Sequence, residues 1–123
     1  MFDTVFSSLR SLFGGGTDAA PIRQVDVATL RSDLDRAAVP LLVDVRTSGE
    51  FRSGHVPGAK NIPLDQLAAR LAELGTSDQE VYLICQSGGR SARAAATLAA
   101  KGLRPVNVSG GTGAWLAAGY PRA

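Results

Sequence analysis

The chain has 123 residues, 45% of them hydrophobic, which suits one compact domain with a real core. Thirteen Lys and Arg against eleven Asp and Glu leave a net charge of +2, too small and too scattered to mark a nucleic-acid surface. One cysteine and one histidine exclude an internal disulfide and a Cys/His zinc site, and they fit a reducing, cytoplasmic setting.

Residues 1–20 form an amphipathic segment with a glycine hinge. Phe2, Val5, Phe6, Leu9, Leu12 and Phe13 recur at roughly helical spacing, and Gly14, Gly15 and Gly16 stop the helix. The segment has no basic start and no continuous apolar centre, so it is not read as a secretory signal. Its polar face holds one basic residue, Arg10, so membrane contact by 2–13 is expected to be weak. Docking on the domain, or on a second copy in a homodimer, is the expectation.

Residues 21–123 read as one domain of alternating strands and helices. Arg23 to Val25 predicts a strand, and Asp26 caps a helix that buries Val27, Leu30 and Leu34. Leu41 to Val45, apolar except for Asp44, predicts a parallel strand buried on both faces. Ala59 to Ile62 predicts a short strand. Leu67, Leu71 and Leu74 mark a helix closed by Gly75. Val81 to Cys85 is the second buried strand, Ser91 to Lys101 an Ala-rich helix, Val106 to Val108 the last strand, and Ala114 to Ala118 a final helix. This alternation predicts an α/β fold with a mainly parallel sheet. Sites in such sheets lie beyond the carboxyl ends of strands, where Cys85 falls.

The segment Cys85-Gln86-Ser87-Gly88-Gly89-Arg90-Ser91 then carries the chemistry. Gly88 and Gly89 permit left-handed backbone, so that successive N–H groups converge on one anion. The following helix contributes its positive end, and Arg90 a full charge with a two-pronged donor. Cysteines in such surroundings titrate at about 3.5–7.5 rather than about 8.5, and the thiolate is the nucleophile. Cys85 is therefore the candidate catalytic residue, and Gln86 to Ser91 the candidate substrate-binding loop.

Three segments in this order resemble the rhodanese (thiosulfate sulfurtransferase-like) family. The first is Leu42-Val43-Asp44-Val45-Arg46 with Glu50-Phe51, Gly54-His55-Val56-Pro57-Gly58-Ala59 and Asn61-Ile62-Pro63. The second is the Cys85 loop. The third is Gly110-Gly111, Trp115 and Gly119-Tyr120-Pro121. The resemblance runs from about Val25 to Pro121. It implies a five-stranded, mainly parallel sheet flanked by helices on both faces, and a persulfide intermediate on Cys85. It implies no cofactor and no metal. The partners it suggests are a small sulfur donor such as thiosulfate and a cyanide or thiol acceptor.

In the expected chemistry the Cys85 thiolate takes the outer sulfur of the donor, the loop amides and Arg90 stabilise the persulfide, and the acceptor removes that sulfur. Related cysteine phosphatases place five residues between Cys and Arg. Here four separate Cys85 from Arg90, so a phosphatase or arsenate reductase is the lesser alternative. A relay module that accepts sulfur from a partner protein through an open loop would have the same sequence. Asp44, Arg46 and Glu50 are expected to form one buried ion-pair network supporting the loop. By resemblance His55 belongs to a turn that bonds the backbone. Arg93, one turn into the helix, is placed at the pocket mouth. Gly110-Gly111-Thr112-Gly113 lacks the third glycine of a dinucleotide loop, and Trp115 is assigned to the core.

Overall fold

The computed structural model describes residues 22–36 and 38–123, so the predicted helix and hinge of residues 1–20 lie outside the described part. The elements run β1 (Arg23–Val25), α1 (Val27–Leu34), β2 (Leu41–Asp44), α2 (Ser48–Arg52), β3 (Lys60–Asn61), a 3-10 segment (Leu64–Leu74), β4 (Glu80–Ile84), α3 (Gly89–Ala100), β5 (Arg104–Val108) and α4 (Gly111–Ala117). Five strands form one sheet in the order β1-β5-β4-β2-β3, and every neighbouring pair is parallel. No helix among the described residues is long and apolar enough to cross a membrane.

The two-residue period of a strand divides the core into two layers. Along β4, Val81 and Leu83 face one layer, with Cys85 just beyond the strand. They pack with Val43, Leu67, Leu74 and Leu98 under α3 and the 3-10 segment. Tyr82 and Ile84 face the other layer, with Leu30 of α1 and Trp115 of α4. The Tyr82 hydroxyl needs a partner inside that layer and finds one, donating to Asp33 Oδ2 at 2.5 Å.

Several boundaries differ from the sequence expectations. α2 has no counterpart among the predicted elements, although Thr47 and Glu50 make both bonds of a capping box at its start. The Leu67–Leu74 stretch is 3-10 rather than α. Pro63 caps its start with no side-chain bond, and Arg70 breaks it at φ −120°. α3 begins at Gly89, two residues before the expected Ser91, because Gly88 supplies a left-handed N-cap at φ +113°. α4 begins at Gly111 instead of Ala114, following a second left-handed cap at Gly110.

The order of strands fixes where a site can form. After β2 the chain moves outward to β3, and after β4 it moves the opposite way to β5. The crevice at that reversal, beyond the carboxyl ends of β2 and β4, is the natural ligand position in an open parallel sheet. Both Arg46 and Cys85 lie there.

Candidate active site

Cys85 leaves β4 with its carbonyl and the next one tied to α4. The Thr112 N–H donates to Cys85 O at 2.8 Å, and the Gly113 N–H donates to Gln86 O at 3.0 Å. This approach requires glycine at 111. Its φ is +60°, and a Cβ there would lie 2.4 Å from the Cys85 carbonyl oxygen. Gly110 to Gly113, the cap and first turn of α4, thus clamp the loop. The sequence reading missed this role. The signal was present in Gly-Gly after a strand, a pairing suited to close backbone approach.

The loop turns inward on the sulfur. The Gly88 N–H donates to Cys85 Sγ at 3.0 Å, and Ser91 Oγ lies 3.3 Å from the same sulfur. Ser91 Oγ is also 3.2 Å from the Gly88 carbonyl. A hydroxyl has one hydrogen, so a thiolate and that carbonyl compete for it, and the charged acceptor forms the stronger bond. Burial pushes the Cys85 thiol up. The Ser91 hydroxyl and the amides of Ser91, Gly88 and Ser87 outweigh burial and hold it below its ordinary value.

Three expectations are corrected here. The open loop supposed by the relay alternative is not found, since Cys85 is only 1% exposed. Gly88 and Ser91 of the loop lie against the sulfur, while Gln86, Ser87 and Gly89 are exposed. Gly89 does not take a left-handed conformation. It is the first residue of α3, with nothing near the position of a Cβ.

The third correction concerns the charges. Asp44, Arg46 and Glu50 do not make one buried network; they divide into two pairs. Arg46 and Asp44 are buried together, with Arg46 Nη2 2.8 Å from Asp44 Oδ2. Arg46 also donates to Gly54 O at 2.9 Å and to Gln86 Oε1 at 3.2 Å, which ties the sheet edge to the loop's first residue. Glu50 instead takes both prongs of Arg90, Nη1 at 2.7 Å and Nη2 at 2.9 Å. That guanidinium is the chief cause holding the Glu50 carboxyl at about 2. Arg90 therefore faces Glu50 rather than bonding the sulfur.

His55 stacks on Phe51 with ring centroids 3.6 Å apart, and its Nδ1 lies 2.7 Å from the Phe51 carbonyl. Its backbone exchanges two hydrogen bonds with Ala123. These contacts tie the irregular segment after α2 to backbone at Phe51 and Ala123. Arg93, Thr47, Pro63, Leu64 and Asp65 line an open cleft beside Arg90.

Comparison with known proteins places the chain by family and by fold. Residues 26–118 match the family described as rhodanese-like domain. The protein YqhL of Bacillus subtilis, itself without an assigned function, is 49% identical over 75 residues, 60% of this chain and 59% of that protein. A sulfurtransferase of Allochromatium vinosum is 35% identical over 101 residues, 81% of this chain and 94% of that one. The crystal structure of a rhodanese-like domain protein from Staphylococcus aureus superposes with a TM-score of 0.72 at 34% identity, covering 76% of this chain and 90% of that one.

Proposed function

The chain belongs to the rhodanese-like domain family, and from that premise we propose that it moves sulfane sulfur through a persulfide on Cys85. The observation that carries this reading is the inward convergence of the Gly88 amide and the Ser91 hydroxyl on Sγ. Donors so placed favour a thiolate before reaction and an anionic sulfur after it.

In the first step the Cys85 thiolate attacks the outer sulfur of the donor. A new S–S bond forms at Sγ, and the donor's S–S bond breaks with its electron pair. Thiosulfate would leave as sulfite, and a persulfide R–S–SH as the thiolate R–S⁻. In the second step cyanide or a thiolate attacks the outer sulfur, and the Cys85 thiolate leaves. Preorganised donors serve both steps, because negative charge sits on sulfur within the loop throughout.

Cys85→Ser is expected to abolish sulfur loading while keeping the melting temperature close to that of the parent. Intact-protein mass after thiosulfate or persulfide treatment reads this directly. The parent should gain one sulfur atom and lose it to cyanide. A serine variant that still gains sulfur would end the proposal.

The closed loop does not favour relay from a large partner over a small donor. Loading by a persulfide-bearing protein, compared with loading by thiosulfate, separates the two. Four residues between Cys85 and Arg90 argue against a phosphatase, as does the pairing of Arg90 with Glu50, which already engages both prongs of the loop's guanidinium.

A further inference from the structure

The charges around the sulfur pair off locally. Arg46 is neutralised by Asp44 inside the protein. Arg90 is neutralised by Glu50, both side chains about one-third exposed. The groups that touch Sγ, an amide and a hydroxyl, carry no net charge. Arg93 remains as an exposed cation, with Asp65 lining the same cleft. A donor approaching the Cys85 thiolate thus meets a negative sulfur and no uncommitted guanidinium at the loop.

We propose that Glu50, by occupying both prongs of Arg90, sets the charge class of the donor and favours singly charged persulfides over dianions such as thiosulfate. This rests on the reading of Cys85 as a sulfur carrier. Two arguments support it. Repulsion between the thiolate and the donor grows with donor charge, and the loop's own guanidinium, Arg90, is already held by Glu50. The desolvation cost of entering the loop also rises steeply with charge. A persulfide carries at most one negative charge, lost on protonation to the R–S–SH form that reacts, so the neutral donors of the loop never have to hold a dianion. Glu50 acts here through Arg90 and is a positioning residue.

The test compares Glu50→Gln and Glu50→Asp with the parent. Two donors are used separately, thiosulfate and the persulfide of 2-mercaptoethanol generated in situ. The half-saturating donor concentration for sulfur loading is read by intact mass. Glu50→Gln is expected to lower this value for thiosulfate about fivefold, the size of one partly exposed charge, and to leave the persulfide value within about twofold. Raising the salt should shrink the difference. Glu50→Asp keeps the charge and should retain the parent's preference. Glu50→Ala also frees Arg90 and should behave as Glu50→Gln, should the glutamine variant prove unstable. Equal shifts for both donors, or no shift for either, would overturn the role of Glu50 alone. Failure of the parent to load sulfur from either donor would remove the carrier reading and this one with it.

Discussion

Ser91 is a small residue with a large electrostatic assignment. Its wholly buried hydroxyl has two acceptors and one proton, and the charge state of Cys85 decides which acceptor receives it. Removing the hydroxyl takes away a bond that favours the thiolate, so the thiol should titrate at higher pH. The expected result for Ser91→Ala is an upward shift in the pH midpoint of Cys85 alkylation by iodoacetamide, with slower alkylation at neutral pH. An unshifted midpoint would mean that the amides alone hold the thiolate. Cys85, Gly88 and Ser91 were legible in the sequence because they are contiguous and their chemistry is local. The partner of Arg90 was not. Glu50 lies 40 positions away, and neither charge nor spacing reveals which arginine it will meet. The burial of the sulfur was equally hidden, since a loop of small and polar residues reads as open until its fold over the thiol is known.

Between elements, the decisive contact is α4 against the Cys85 loop. Gly111→Ala would place a methyl group 2.4 Å from the Cys85 carbonyl oxygen. Backbone cannot swing aside as a side chain can, so the loop itself must move. Gly119→Ala is the matched control. Its φ is +76°, and nothing lies within 4 Å of the new Cβ. Gly119→Ala should cost only the left-handed strain, about 1–2 kcal/mol, and leave sulfur loading intact. Gly111→Ala should cost more stability by thermal unfolding and lose most of its loading rate. Equal loading by the two variants would dissociate the clamp from the chemistry. The strands and α1 were legible from apolar runs and from the Asp26 cap, whose carboxylate accepts the Thr29 N–H at 2.8 Å. The short α2 was missed because five residues carry too little periodicity, although its capping box was written in the sequence. The 3-10 character of Leu64–Leu74 was not legible, since leucine spacing alone does not distinguish a regular helix from one broken at Arg70.

Across the whole molecule, Cys85 and Leu30 sit in different core layers. Leu30 is fully buried in the layer opposite Cys85. Leu30→Ala should lose about 2–5 kcal/mol of unfolding free energy, as large-to-small core changes do. The alkylation midpoint of Cys85, measured well below the melting transition, should stay where it is. A shifted midpoint would show that the layers are coupled through β4. The parallel sheet itself was legible, because Leu41–Val45, broken only by Asp44, and Val81–Cys85 are apolar runs of the kind a doubly covered strand needs. The strand order was not, since no local pattern tells β4 to settle between β2 and β5.

The sheet's outermost strands are its shortest, three residues in β1 and two in β3. Each rim is further tethered by side chains. Asn61 donates to the carbonyls of Asp44 and Arg46, and Arg23 is held by Glu80. A neighbouring chain seeking to extend the ladder would find a landing strip only a few amides long, flanked by Arg23 on one side and Lys60 on the other. The longer, more apolar strands β2, β4 and β5 are kept in the middle, so the rims of the sheet offer little for edge-to-edge pairing.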